Sequence, residues 1–506
     1  MLQRNFILYR NSKTFKFSAS QSAKYSKILI CFICTSMLLV AATLIVASTN
    51  LNWEYKLKII TLFSVISLLL SFYYHLKLSH KLFDLINIFL IILYLFHFGQ
   101  YILYLFNIYY KFFWEVPNYL NAFEANYNII IKAVILSNCY FLVFAICTNI
   151  PQYFKNIRFF KNNIKTFGNI QRKNILKFAL ILFIISVIPT LIVRVKEIII
   201  SVSDGYANSL NENICSILKL LESLFIPSLF LMYFSTNKKW VKYTILCSFV
   251  LYSLILFIIG GRTECVALIV TTLILFLRNK KIKLKFIILS IISLLVLLVL
   301  IVATAEYRNV SNKTLSSFID CTINIIKTNS IFAQFIGEMG WTGSTFCYVI
   351  SITNTEGFIW GTSYFNSLLN IIPSSLDILG IVNTYGSQAF LSSWLTQKVG
   401  FTFGTGFSLF AEAYLNFGGL LGIAPIGFIG YLIGTFLSID SFKTTANNIF
   451  DYIKFYIFYS LFTLPRREFV YLIDQLSNFI LIILLALNLF NYIYNKIEFN
   501  KKIKDN

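Results

Sequence analysis

The sequence predicts an all-α polytopic membrane protein, with about twelve transmembrane helices and one large extracytoplasmic loop that bears short helices of its own. Three observations predict it. Of the 506 residues, 58% are hydrophobic and 13% charged, where a soluble chain carries about 25% charge. Runs such as 28–48 and 286–303 are apolar over enough residues to cross a hydrocarbon core of roughly 30 Å. Lysine and arginine gather in alternate connections between those runs.

Taken in order, the candidate spans are 28–48, 59–74, 82–106, 129–148, 178–194, 214–234, 243–259, 263–277, 286–304, 415–438, 449–464 and 469–493. The first is too long for the apolar part of a cleaved signal peptide and is followed by many similar runs, so it reads as a span. The run 244–277 is too long for one helix. Gly260-Gly261-Arg262 divides it into a tight hairpin, since a single tilted helix would have to bury Arg262 and Glu264. The chain accordingly divides into nine spans (1–304), the large loop (305–414), and three last spans with a cytoplasmic C-terminus (415–506).

Orientation follows from the basic clusters at 4–27, 155–177, 238–242, 278–285 and 496–504, which place both termini in the cytoplasm. The net charge of +22 is therefore a positive-inside signature and needs no nucleic-acid partner. A loop as long as 305–414 is uncommon without structure or function of its own. Within it, 315–328 and 331–352 are helical and partly amphipathic in pattern, as if lying on the outer membrane surface.

Nine cysteines, mostly inside apolar runs, form no disulfide framework. Cys31 and Cys34 read as residues of the first span, and Cys321 and Cys347 are a candidate pair in the large loop. The histidines His75, His80 and His97 fall on the inward side or inside the third span, which excludes an outward His base or zinc site. No DxD, Walker, HExxH or GxSxG pattern occurs, so neither a metal-dependent nucleotide-sugar enzyme nor an ATP-driven pump has its machinery here. No cofactor and no metal site are expected.

What the outward side does hold is a set of charges beside span ends: Arg262, Arg308, Arg466 and Arg467 in LPRRE, Glu338 in FIGEMGWTG, and Glu412 in GTGFSLFAEAYLNFGG. Arginine binds phosphate bidentately and never loses its charge, so several at one membrane depth suit a pyrophosphate. A carboxylate is costly at bilayer depth. Glu412 is read either as a helix N-terminal cap or as a base raised in pKa by apolar surroundings. Gly418, Gly419, Gly422, Gly427, Gly430 and Gly434 read as close helix packing.

Short motifs in fixed order along the chain carry a resemblance: FHFGQ, IPTLIVRVKEIIISVSDGYANSL, GGRTECVALIV, TAEYRN, GEMGWTGSTFCYVI, GTSYFNSLLNIIPSS and GTGFSLFAEAYLNFGGLLG, with LPRRE fitting more loosely. In these the chain resembles the Wzy-type polymerases of O-antigen and capsular polysaccharide. The resemblance implies a GT-C-like enzyme of the bacterial plasma membrane whose active site is extracytoplasmic. It implies undecaprenyl-pyrophosphate-linked oligosaccharides as donor and acceptor, with a chain-length regulator and a flippase as partners. The growing chain passes from its lipid carrier to the non-reducing end of a new unit, without ATP or nucleotide sugar. On this reading Arg262, Arg308 and Arg467, with Arg466 as a weaker candidate, hold the pyrophosphate. Glu412 or Glu338 is the base or acceptor-orienting group, Glu412 lining a polar, outward-open cavity. Tyr364, Tyr414 and Asn416 bind sugar hydroxyls. A ligase delivering the finished glycan, and a flippase or other transporter, are the competing expectations.

Overall fold

The structure, a computed structural model, describes residues 19–79, 84–108, 110–117, 121, 126–154, 172–203, 215–278, 299, 302–303, 315–328, 331–372, 377, 380–401, 404–438 and 447–504. Among these it is helical throughout, with no strand. Eight helices are long and apolar enough to cross a membrane: Tyr25–Ser48, Trp53–Ser79, Leu85–Leu105, Tyr127–Pro151, Arg172–Ser201, Ser216–Ser235, Lys239–Ile259 and Phe469–Ile497. Each falls on a predicted span. Three more predicted spans are met by shorter helices, Arg262–Leu277, Ile423–Leu437 and Asn447–Leu461. At 1.5 Å per residue these reach only about 24 Å. Most of the ninth predicted span lies outside the described residues, as do the TAEYRN motif and Arg308.

The hairpin forms as the sequence predicts. Lys239–Ile259 ends on Gly260 at φ 107°, a left-handed conformation that glycine adopts without steric cost, and Arg262 opens the next helix. Large apolar side chains such as Ile184, Ile188, Leu485 and Leu489 stand exposed in rows along their helices, the lipid-facing surface of such a bundle. Inward faces differ. Trp53–Ser79 buries Thr61, Ser64, Ser67 and Ser71 at helical spacing; Thr61 and Ser71 donate to their own helix carbonyls at 2.7 and 2.8 Å. Their small size brings neighbouring helices close, and the back-bonding satisfies each hydroxyl.

Glycine does the same for Ile423–Leu437, which packs on Tyr127–Phe154. A Cβ at Gly434 would stand 2.3 Å from the Thr148 carbonyl oxygen, and one at Gly430 2.9 Å from that of Phe144. Gly418, at φ 73°, kinks the Leu409–Leu421 helix, and its carbonyl accepts both the Gly422 N–H at 3.1 Å and the Tyr140 hydroxyl at 2.9 Å.

The large loop is helical where the pattern predicts, with Leu315–Thr328 as one helix and a break at Trp341 dividing Ile331–Gly340 from Thr342–Glu356. The expectation that both stretches lie on the membrane surface is corrected for the second. Thr342 to Ser351 are all buried against the third and fourth predicted spans. A Cβ on Gly340 would stand 2.3 Å from the Gln100 nitrogen, so the small residues of GEMGWTG admit a loop helix into the bundle. Cys321 and Cys347 are both free thiols, so the candidate disulfide does not form; Cys347 is sealed in the core.

Candidate functional site

Three of the charged residues singled out in the sequence meet at one cavity. Its volume is about 260 Å³, and its walls are Tyr110, Arg262, Glu338, Trp341, Ser344, Tyr348, Gly404, Thr405 and Arg466. Arg262 enters from the start of its helix, immediately after the Gly260-Gly261 turn, which exposes the guanidinium at the helix end. Glu338 comes from Ile331–Gly340 and receives Arg262 Nη1 on Oε2 at 2.6 Å, with about a fifth of the arginine and a third of the glutamate side chain exposed. Arg466 ends the short 3-10 turn Leu464–Arg466, built on Pro465. Gly406 makes room for it: a Cβ there would stand 2.9 Å from Arg466 Nε. On the far wall Trp341 donates its indole N–H to the Tyr110 hydroxyl at 2.9 Å. Two arginines and one carboxylate thus line one polar hollow, where one of the arginines is paired with the glutamate.

Arg467 does not share this cavity. The backbone turns extended after the 3-10 turn, so successive arginines point apart, and the Arg467 guanidinium lies over the Tyr471 ring, 5.5 Å from its centroid. The sequence reading ranked Arg467 above Arg466; the geometry joins Arg466, not Arg467, to Arg262.

Glu412 does not line an open cavity, contrary to expectation. It is wholly buried, two helical turns and a kink ahead of the Ile423–Leu437 span. Ser363 donates its hydroxyl to Oε1 at 2.8 Å, and the Phe469 N–H donates to Oε2 at 2.6 Å. The carboxyl thus sits at the N-terminus of Phe469–Leu476, where helix N–H groups lack intrahelical partners and negative charge is favoured. It caps a helix, but that of the last predicted span and not its own; Ser408 caps its own. Burial pushes Glu412 up to about 8, while the Phe469 N–H and the Ser363 hydroxyl pull it down.

The remaining candidates belong to the same buried knot. Asn416 donates through Nδ2 to Ser363 Oγ at 2.7 Å and to the Glu412 carbonyl at 2.8 Å. Tyr364 stacks on Phe417 and sets its edge against Phe469. Its hydroxyl is buried with no hydrogen-bond partner among the described residues. Tyr414 is 3% exposed, packed between Phe346 and Phe358, with Lys132 Nζ 5.4 Å from its ring. All three are walled off from the arginine cavity. The knot ties the large loop to the last span, and Glu468 adds a second tie by accepting the Ser392 N–H at 2.5 Å.

Tyr110, Trp341, Ser344 and Tyr348 escaped the sequence reading. A polar-tipped aromatic is unremarkable in a chain with 30 tyrosines and 52 phenylalanines; the available signal was Trp341, Ser344 and Tyr348 falling inside the quoted GEMGWTGSTFCYVI motif. Among the described residues no three His, Cys, Asp or Glu side chains are grouped to hold a metal ion.

No curated protein and no solved structure matches the chain. The family model of O-antigen polysaccharide polymerase Wzy, by contrast, matches residues 27–498, nearly the whole chain, and the protein belongs to that family.

Proposed function

We propose that this protein polymerises lipid-linked oligosaccharide repeat units at the outer face of the bacterial plasma membrane, and that the Arg262–Glu338–Arg466 cavity receives the pyrophosphate of the departing carrier. The general reaction, O-antigen polymerisation in a membrane, comes with the family. The undecaprenyl carrier, the outward site, the twelve-span topology with cytoplasmic termini, the three-part division of the chain, and the flippase and chain-length partners are our reading. A capsular or exopolysaccharide product would use the same chemistry.

The observation that carries it is the meeting of Arg262 and Arg466, from segments about two hundred residues apart, in one polar cavity beside span ends. In the reaction an acceptor hydroxyl oxygen attacks the anomeric carbon of the donor chain. The bond from that carbon to the pyrophosphate oxygen breaks, and its electron pair leaves with the carrier. Negative charge therefore grows on the pyrophosphate in the transition state, where preorganised cations lower the barrier most. Glu338 holds Arg262 in place until substrate arrives. As the carboxylate exposed to that cavity, it is also the base we assign to the hydroxyl proton at the reacting carbon. Glu412, capping a buried helix end, acts as a positioning residue. Arg308 stays a candidate third cation, and Arg467 a candidate for the neighbouring surface.

The test is a surface-glycan and lipid-linked oligosaccharide profile of a deletion strain complemented with wild type, Arg262→Ala or Arg466→Ala. We expect long polymer from wild type and single repeat units on the final acceptor from both variants, at equal membrane abundance. Normal chain length from either variant removes that arginine from the site. Full-length glycan stranded on its carrier in the deletion strain would make the protein a ligase, and units trapped on the cytoplasmic face would make it a flippase.

A further inference from the structure

A second cavity, of about 160 Å³, has walls more apolar than polar and is lined among others by Arg194, Glu222, Tyr252, Glu264, Tyr459 and Gln475. The two are built from neighbouring stretches of chain: Arg262 lines one and Glu264 the other from the first turn of a single helix, while Thr463 and Tyr471 of one bracket Arg466 of the other in sequence. We propose that this second cavity binds the non-reducing terminal sugar of the acceptor glycan, with Glu264, Tyr459 and Gln475 contacting its hydroxyls. The inference rests on the polymerase reading and adds to it a binding site for the second substrate.

The permanent part of the cavity is a rigid network. Arg194 donates to Glu197 and to Glu222 at 2.5 Å each and to the Tyr252 hydroxyl at 3.0 Å, and Tyr252 donates to Glu222 at 2.9 Å. With these bonds made, Arg194, Glu222 and Tyr252 are occupied. Glu264 and the Tyr459 hydroxyl are different: both line the cavity, and neither makes a hydrogen bond or ion pair with any described residue. Gln475 accepts the Tyr456 hydroxyl on Oε1 at 3.0 Å, which turns its amide N–H₂ away as a remaining donor. A carboxylate acceptor, an amide donor and a phenol, set among tyrosine rings, match a polyhydroxylated ring with one apolar face.

Charge decides which sugar. Among the described residues lining the cavity, the two carboxylates of Glu222 and Glu264 outnumber the one guanidinium, that of Arg194, which Glu197 also pairs. An anionic pyrophosphate is repelled from such a place. The reacting sugar of the donor carries its pyrophosphate on the anomeric carbon and cannot leave it outside. The non-reducing end of the acceptor is a whole repeat unit away from its own pyrophosphate. Only the acceptor end fits the cavity's sign, and from there its hydroxyl approaches a donor held at Arg262, two residues before Glu264 on the same helix.

The experiment uses purified full-length protein in lipid nanodiscs and two probes. One is the repeat-unit oligosaccharide released from its carrier by mild acid, followed by saturation-transfer NMR. The other is undecaprenyl pyrophosphate alone. We expect saturation strongest on the non-reducing terminal sugar. Glu264→Gln should weaken oligosaccharide binding about tenfold and Tyr459→Phe several-fold, as loss of one charged and one neutral hydrogen bond. Both changes are near-isosteric, and undecaprenyl pyrophosphate binding should be retained by both. Wild-type oligosaccharide affinity in both variants, saturation centred on the reducing end, or no binding to the wild type at millimolar concentration would each overturn the assignment. Oligosaccharide binding lost in Arg262→Ala or Arg466→Ala but not in Glu264→Gln would move the sugar to the first cavity, and so overturn it as well. Carrier binding that survives loss of both arginines would sink the pyrophosphate reading instead, leaving the sugar result standing.

Discussion

Glu412→Ala and Glu412→Gln separate a residue that builds the site from one that reacts in it. Alanine removes the acceptor of two buried donors, the Ser363 hydroxyl and the Phe469 N–H. An orphaned buried donor costs about 1–3 kcal/mol. Ser363 can turn elsewhere but Phe469 cannot, so the two together with the void cost roughly 3–5 kcal/mol, enough to unfold many proteins. Glutamine keeps the shape and one acceptor oxygen for Phe469, at a cost of about 1 kcal/mol. The pH dependence has a definite sign. The folded-state value of about 8 exceeds the ordinary 4.5, so the folded protein keeps a proton that the unfolded chain releases. This contribution is fully present below pH 4.5, is lost progressively as pH rises toward 8, and is flat above. In detergent, wild type should melt lower at pH 8 than at pH 6, with a smaller difference for Glu412→Gln. Glu412→Ala should fall in membrane abundance. Polymer length in the complemented deletion strain is the decisive readout: Glu412→Gln should support long chains. A Glu412→Gln protein of normal abundance and melting that makes no polymer would refute the positioning role and restore Glu412 as a base.

Two other changes probe the scaffold and the first cavity. Glu338→Gln breaks a partly exposed pair worth about 0.5–1 kcal/mol, so the protein should stay folded while the cavity gains one positive charge. Undecaprenyl pyrophosphate should bind it more tightly and chain extension should slow; weaker carrier binding would show that Glu338 does not compete with the pyrophosphate for Arg262. Gly434→Ala sets a methyl 2.3 Å from the Thr148 carbonyl oxygen, backbone against backbone, where neither helix can give without moving its whole length. A loss of roughly 1–3 kcal/mol is expected, read as a lower melting temperature in detergent, and an unchanged midpoint would mean the two helices are not in register there.

How much of this was legible follows from where each signal resides. The Gly260-Gly261-Arg262 hairpin was readable because its cause is local: a left-handed glycine and a charge that cannot stay inside a span. The packing of Gly427, Gly430 and Gly434 was readable for the same reason, as small residues repeat along one helix face. Arg262 and Arg466 stood out because charge is rare beside apolar runs. The surroundings of Glu412 were not readable, since its partners Ser363 and Phe469 lie 49 and 57 residues away and carry no distinguishing chemistry. Choosing between Arg466 and Arg467 required the sense of one 3-10 turn. Arg194 and Glu197 were visible inside IPTLIVRVKE, yet their meaning depends on Glu222 and Tyr252 arriving from two other helices.

The two cavities also bear on direction. Glycosyl transfer moves negative charge from the attacking oxygen toward the leaving pyrophosphate. On the proposed reading, the hydroxyl starts in a cavity where carboxylates outnumber cations, and the pyrophosphate ends in one where cations outnumber carboxylates. The field between them points the same way as the charge displacement, and the Arg194–Glu222–Tyr252 network and the Arg262–Glu338 pair that contribute to it are hydrogen-bonded before substrate binds, so less reorganisation opposes it. Hydrolysis would need a water to occupy the acceptor cavity. A water is small beside a hollow of about 160 Å³ and cannot reach the tyrosine walls and Glu264 together. A neutral sugar spanning that hollow is held by several groups at once, and this difference favours transfer to a sugar over loss of the chain to water.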